Sequence, residues 1–270
     1  MRKALALLVC LAAGAGAQTT DEIRGKKVVA EAIEALGGDA FLTMRDRVEE
    51  GRGYSFYNEQ LSGLSRARIY TRYLTAPEPA KDGFLGLRER QGFGKKEEDW
   101  YVIFNEDGQG YEVTYRGAKP VPPATLRRWR DGIMHNAFYI LRMRLKEPGM
   151  IVESKGAQVV DNQPVEVVDF TDSDNRVTRV YFQSSTKLPV KQEYVRRDAG
   201  ERFEEVTLWS KYRDVGGIRW PYVTRRERDG QKIFEMFDES VQLNKDLTDD
   251  LFAVPAGVKM IEDKGAPAKK

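Results

Sequence analysis

Residues 208–222 read LWSKYRDVGGIRWPY and carry the pattern that decides the fold. Bulky apolar and aromatic residues lie on both sides of the Gly216-Gly217 pair. Two such runs separated by a short glycine turn are typical of paired antiparallel strands. We therefore predict a β-hairpin here, with strands over residues 202–213 and 218–227.

The same organisation continues on both sides of this hairpin. Turn residues such as Asp161-Asn-Gln163, Asp198-Ala-Gly200 and Asp229-Gly230 separate further runs of strand type. The predicted strands cover 47–57, 62–74, 84–92, 99–104 and 110–116 in the first half, and 157–160, 164–169, 176–183, 188–196 and 232–243 in the second. Because short turns join successive strands, the chain is predicted to be an antiparallel meander of about 11 or 12 strands.

Two helices interrupt the strand pattern. Residues 20–36 repeat apolar side chains at helical spacing, begin near a threonine cap and end at Gly37-Gly38. A second helix is predicted over 124–146, after the proline-rich stretch 119–123. The fold class is mainly β with two long helices (α+β), and a single domain over 18–256 followed by a flexible tail over 257–270 is expected.

Several strands carry apolar residues on both faces, whereas a strand with one face in water alternates apolar and polar residues. Trp100, Val102 and Phe104 point one way, whereas Tyr101 and Ile103 point the other. The last strand repeats this pattern, with Phe234 and Met236 opposite Phe237. Either a filled core or a curved sheet around an apolar hollow satisfies this pattern.

The first seventeen residues have the features of a cleaved secretory signal peptide. Arg2-Lys3 precedes a short apolar stretch that ends at Ala15-Gly16-Ala17, which predicts cleavage between Ala17 and Gln18. The protein is therefore expected in the periplasm or, in other cells, to be secreted. Lys and Arg number 44 against 42 Asp and Glu, so loss of Arg2 and Lys3 leaves no basic excess for a nucleic-acid partner.

The sequence offers little for catalysis. Cys10 is the only cysteine and His135 the only histidine, so no thiol remains after cleavage and no histidine cluster can bind a metal. His135 is interpreted as a structural or surface residue. Asp169, Asp172 and Asp174 flank a turn and are expected to bond to local backbone rather than to calcium. We predict no enzyme activity, no catalytic residues, no cofactor and no metal.

The C-terminal half resembles the LolA/LolB-like superfamily of periplasmic lipoprotein carriers and outer-membrane lipoprotein-sorting proteins. The resemblance rests on Y-x-x-x-G-G-I-x-x-P within 208–222, on the sequence NKDLTDDLF at 244–252, and on the helix that ends in ALGG at 35–38. It covers most of the mature chain in the order of elements. It implies a curved, incomplete antiparallel β-barrel in which helices cover an apolar cavity that holds acyl chains.

Arg66, Arg68 and Arg72 share one face of a predicted strand, with Tyr70 between them. Such a row of arginines pairs with acids on neighbouring strands in most sheets. The family resemblance implies the alternative that one of them is a polar latch or contacts a head-group.

We therefore expect a soluble, exported protein that shelters the acyl chains of a lipid or an acylated lipoprotein, with transient contacts to membrane or envelope proteins. The residues predicted to line the cavity are large apolar residues on opposing elements: Trp100, Phe104, Tyr111, Trp129, Ile133, Phe138, Leu141, Phe234 and Met236. The alternative is a non-catalytic envelope sensor or assembly partner that binds protein on the same fold.

Overall fold

A computed structural model describes residues 18–75, 83–94, 100–198 and 200–261, and it contains one antiparallel sheet of thirteen strands. The predicted signal peptide, 1–17, and the tail residues 262–270 lie outside the described residues. The strands are β1 (Asp46–Tyr57), β2 (Gln60–Tyr73), β3 (Leu87–Gly94), β4 (Trp100–Phe104), β5 (Gly110–Thr114), β6 (Gly117–Pro120), β7 (Ile151–Val160), β8 (Gln163–Thr171), β9 (Val177–Gln183), β10 (Pro189–Asp198), β11 (Glu201–Val215), β12 (Ile218–Arg228) and β13 (Gln231–Leu243).

The sheet consists of two meanders joined by the first and last strands. Its order is β6-β5-β4-β3-β2-β1-β13-β12-β11-β10-β9-β8-β7, and β1 pairs with β13 in the middle. The sheet is curved and does not close, because β6 and β7 remain as its two edges. The predicted hairpin is present as β11 and β12, with Val215 opposite Ile218.

The free edge of β6 is covered by the end of the described chain. The amide of Ala118 donates to the Lys259 carbonyl at 2.9 Å, and the Ile261 amide donates to the Ala118 carbonyl at 2.7 Å. Residues 259–261, assigned to the flexible tail from sequence, are therefore hydrogen-bonded to the sheet. This pairing satisfies backbone groups that an edge strand would leave open.

The first helix agrees with its prediction. Helix α1 spans Thr20–Leu36, and the Thr19 hydroxyl accepts from the Glu22 amide at 3.1 Å. It is followed by the short helix α2, Asp39–Leu42. A Cβ on Gly25 would lie 2.9 Å from backbone atoms of β7, so only glycine allows α1 to approach that strand so closely.

The predicted single helix over 124–146 is wrong, because the segment is broken in the middle. Helix α3 spans Pro123–Met134, and α4 spans Ala137–Tyr139 and runs into one π-helical turn, Ile140–Arg144. Asn136 has an extended backbone, and its side chain accepts from the Tyr139 amide at 3.0 Å. The asparagine thus starts a new helix instead of continuing the old one.

The main core lies on one face of the sheet, which we call the inner face. Helices α1 and α4 pack there against strands of the second meander. The guanidinium of Arg142, in the π-helical turn, donates to the carbonyls of Phe41 and Met44 and lies 4.2 Å from the ring centre of Tyr73. Arg142 therefore ties the helical segment to α2 and to the loop that follows it.

The opposite, outer face is also covered over the first meander. Tyr101, Ile103 and Val113 pack there with Phe252, which is 2 % exposed and lies in the 3-10 turn Asp249–Phe252. Both apolar faces of β4 are therefore buried, one by the segment that follows β13 and the other by α3.

Candidate functional site

The candidate site is a cavity of about 270 Å³ between the inner face of the sheet and the segment that contains α3 and α4. One wall is formed by β1–β3 and the other by β10–β13. Its apolar lining includes Ile69, Leu87, Trp129, Ile133, Phe138, Trp209, Trp220, Pro221, Phe234 and Met236. Because most of these side chains are large and fixed on strands or helices, the cavity has defined walls.

Five of the predicted lining residues lie in this cavity: Trp129, Ile133, Phe138, Phe234 and Met236. Phe138 is 4 % exposed and contacts two tryptophans, with ring centres 5.0 Å from Trp209 and 4.7 Å from Trp220. It therefore belongs both to the cavity wall and to the main core. That these residues contact a ligand stays a prediction.

The other four predicted residues lie elsewhere. Tyr111 is opposite Ile103 on the outer face, because the pairing of β4 with β5 places it there. Leu141 is 1 % exposed within the main core. Phe104 does not line the cavity, but its ring stacks on that of Trp129, which does, with the ring centres 4.5 Å apart. Trp100 is 38 % exposed at the end of β4, beside Phe93.

Arg66, Arg68 and Arg72 lie on the outer face of β2, whereas Ile69 and Thr71 of the same strand line the cavity. Arg68 pairs with Glu50 on the neighbouring strand, and Arg72 pairs with Asp249 at 2.7 Å. The more exposed Arg66 lies 3.8 Å from Glu239. These contacts favour the ion-pair interpretation, and they separate all three arginines from the cavity.

The deep end of the cavity is polar, which the sequence interpretation missed. Arg47 donates to Glu49 Oε2 at 2.8 Å, to the Tyr73 hydroxyl at 2.9 Å and to Thr71 Oγ1 at 3.1 Å. Its guanidinium carbon lies 4.5 Å from the ring centre of Trp220. Burial disfavours the charged form, but Glu49 and Tyr73 outweigh it, so the pKa of Arg47 is raised and the side chain stays charged.

Three carboxyl groups face this deep end: Glu49, Glu89 and Asp238, which we call the acidic floor. Glu49 Oε1 accepts from the Trp220 indole at 2.7 Å, and Glu89 Oε1 accepts from the Trp129 indole at 3.0 Å. Burial raises the pKa of Glu89 and raises that of Asp238 to about 8, with Glu49 adding to the shift at Asp238. Burial therefore favours the protonated forms of Glu89 and Asp238.

Asp238 follows Phe234 and Met236 on the cavity face of β13, directly before a β-bulge. The register of β1 and β13 shifts between Glu50, opposite Ser240, and Gly51, opposite Asp238. Residue 51 must be glycine, because a Cβ there would lie 2.0 Å from the Phe237 carbonyl oxygen. The alternation of Phe234, Met236 and Asp238 on one strand face was the sequence signal that could have identified this carboxyl.

The entrance carries the opposite charge. Arg128 on α3 and Arg226 on β12 both line the cavity and are exposed. Arg128 lies 3.7 Å from Asp198, which compensates part of its charge. Glu205 also lines the cavity, but it is paired with Arg196 at 3.0 Å and Arg228 at 2.9 Å. An anionic group at the entrance is therefore expected to meet the guanidinium groups of Arg128 and Arg226.

His135 is buried beside the cavity rather than exposed. It is 3 % exposed, its ring is stacked 4.0 Å from that of Tyr194, and Nδ1 lies 2.6 Å from the Thr178 hydroxyl. Burial, reinforced by Arg176, lowers the pKa of His135 to about 4. A structural role agrees with these contacts, since the ring fills the break between α3 and α4.

The neutral state of His135 predicts a pH dependence of stability. The folded protein binds this proton only near pH 4, whereas the unfolded chain binds it near pH 6.5. The stability that the fold gains from keeping His135 neutral is complete above pH 6.5 and is lost as the pH falls toward 4. The variant H135F keeps a ring against Tyr194 but has no group to protonate. Urea unfolding at pH 7 and at pH 4.5 measures the loss of stability on acidification, and we expect this loss to be smaller in H135F by on the order of 2 kcal/mol. An unchanged difference between the two pH values would contradict the assignment.

Within the described ranges, no group of three or more His, Cys, Asp or Glu side chains is arranged to hold a metal ion. Across the same residues, no helix is long and apolar enough to cross a membrane.

The open sheet, its helical cover and the cavity between them define the class: the chain has a LolA-like fold. Among solved structures, it is similar to a domain described as an outer membrane lipoprotein-sorting protein from Vibrio parahaemolyticus, with a TM-score of 0.55 and 12% identity over 84% of this chain and 97% of that one. A DUF1329 family protein from Desulfovibrio piger gives a TM-score of 0.60 and 12% identity, covering 87% and 98%.

A LolA superfamily protein from Nitrosomonas europaea is also similar, with a TM-score of 0.51 and 10% identity over 85% of this chain and 97% of that one. No protein-family model and no curated protein matches the sequence. At these identities the likeness shows the fold alone, so the function must be argued from the site.

Proposed function

We propose that the protein binds the acyl part of an envelope lipid or lipoprotein in the cavity beneath α3, and that it does so in the periplasm after removal of residues 1–17. The observation that carries this proposal is the apolar wall formed by Trp129 and Ile133 on α3 facing Phe234 and Met236 on β13. The fold shared with a lipoprotein-sorting domain supports the same class of ligand.

Burial supplies the driving force. Each methylene moved from water into an apolar site contributes about 0.8 kcal/mol, so eight methylenes contribute roughly 6 kcal/mol. Ordering the chain and displacing the cover of the cavity reduce that gain. The mechanism is therefore binding and release, with no bond made or broken.

The first test is native mass spectrometry of the protein purified from a bacterial periplasm, followed by solvent extraction of the bound material. We expect a stoichiometric lipid or lipopeptide mass, and uptake of a fluorescent fatty acid by the emptied protein. A clean unliganded mass together with no uptake of the probe would contradict the proposal. The protein would then be better described as an envelope sensor or assembly partner.

A further inference from the structure

When its three carboxyl groups are ionised, the acidic floor carries more negative charge than Arg47 alone can balance. Arg47 is the guanidinium that faces Glu49, and its N–H groups are directed to Glu49, Tyr73 and Thr71. Glu89 receives neutral donors, the indole of Trp129 and the amide of Gln91. With all three carboxyl groups ionised, the floor therefore attracts a further positively charged group.

Asp238 is the least satisfied member of the floor. Its residue is 8 % exposed, and its Oδ1 has no hydrogen-bond partner among the described residues. A buried carboxylate without a donor is strongly destabilising, so it must be protonated or be met by a donor from outside the chain. Because Asp238 lines the cavity, a ligand bound there can supply that donor.

We propose that the acidic floor is a subsite for a primary ammonium group carried by the ligand of the cavity. A primary ammonium supplies N–H donors, which Asp238 Oδ1 lacks, and a second positive charge beside Arg47, whose guanidinium is already hydrogen-bonded to Glu49. The aromatic rings of Trp220 and Phe138 next to the floor suit the methylenes beside a cationic nitrogen. This inference deepens the proposed function and rests on it for the apolar part of the ligand.

The distribution of charge argues against the reverse orientation of an anionic amphiphile. A carboxylate or phosphate pushed to the floor would meet Glu49, Glu89 and Asp238 at low dielectric. The same group at the entrance would lie near Arg128 and Arg226. The floor therefore selects the cation, and the entrance is the place where an anionic group is tolerated.

Isothermal titration with four twelve-carbon ligands tests the subsite: dodecylamine, dodecyltrimethylammonium, dodecanol and dodecanoate. We expect dodecylamine to bind at least tenfold more tightly than dodecanol at pH 7. D238N should remove that difference, so that the variant binds dodecylamine and dodecanol equally. Titration in buffers of different ionisation enthalpy should show that dodecylamine releases protons from the wild-type protein and not from D238N, because Asp238 ionises as the ammonium binds.

The matched control is D250N, since Asp250 is exposed and lies in the 3-10 turn on the outer face, on the opposite side of the sheet from the cavity. It should keep the preference for dodecylamine.

Equal binding of dodecylamine and dodecanol by the wild type, or an unchanged preference in D238N, overturns the ammonium subsite while acyl binding stands. Binding of dodecylamine alone keeps the subsite and overturns the general acyl-binding function. Failure of all four ligands to bind overturns both. Equal binding of dodecyltrimethylammonium and dodecylamine overturns the requirement for N–H donors.

Discussion

G132F is expected to lower the affinity for a fluorescent fatty acid by about 100-fold, which corresponds to roughly 3 kcal/mol. Gly132 lies on α3 and lines the cavity, and the atom nearest to an added Cβ is the Tyr194 hydroxyl at 4.0 Å. The backbone there thus accepts a side chain, and a phenyl ring at this position projects into space that the ligand needs. Fluorescence titration of the probe measures the loss.

G132A is the matched control for this experiment. A methyl group fits at the same position without a close contact, and alanine is favoured over glycine inside a helix by about 1 kcal/mol. The variant should therefore bind the probe like the wild type and unfold at slightly higher urea concentration. If G132F also bound the probe with wild-type affinity while folded, the cavity beneath α3 would not be the binding site.

The hairpins and their turns were predictable because each depends on local signals, whereas the pairing of β1 with β13 joins strands far apart in the chain and was not predicted. The Gly216-Gly217 turn and the alternating pattern on both sides fix β11 and β12, and similar signals fix most of the sheet. Strand β6 was missed because Gly117–Pro120 is four residues long and lacks a run of bulky apolar residues. The fold class follows from such local patterns, even where one strand is lost.

The polar end of the cavity was less accessible to sequence reasoning. Large apolar residues were chosen as lining, but Tyr111 and Leu141 were placed by size rather than by register. Alternation with Phe234 and Met236 was enough to place Asp238 on the inner face, but the bulge opposite Gly51 returns Val241 to the same face, three residues after Asp238. A period of two cannot predict this, since a bulge shifts every later residue to the other face.

The break between α3 and α4 depends on long-range contacts. An asparagine within an apolar helical pattern was one local signal, because Asn136 accepts from the amide of Tyr139. Burial of His135 against Tyr194 and Thr178 involves strands far along the chain. Only the folded structure shows that these partners stabilise the break.

D172N is expected to lower the free energy of unfolding by about 3–5 kcal/mol, because it breaks a buried ion pair. Asp172 Oδ2 accepts from Arg144 at 2.9 Å and from Arg176 at 2.7 Å, and the Arg144 and Asp172 side chains are 4% and 3% exposed. Arg144 also donates to the Met134 carbonyl at 2.6 Å. The pair therefore joins the end of α3 and the π-helical turn to the loop between β8 and β9, and urea unfolding at pH 7 measures its loss.

The neighbouring Asp174 provides the control, since its side chain is 68% exposed and its pair with Arg176 is at the surface. D174N should change stability by less than about 1 kcal/mol.

Burial raises the pKa of Asp172, but hydrogen bonds from Arg144 and Arg176 outweigh it and lower the value to about 2. The ionised pair thus stabilises the fold above pH 4, and this contribution is lost as the pH falls toward 2. D172N should flatten that part of the acid-unfolding curve, and a D172N protein as stable as D174N would show that the pair does not hold the helical segment on the sheet.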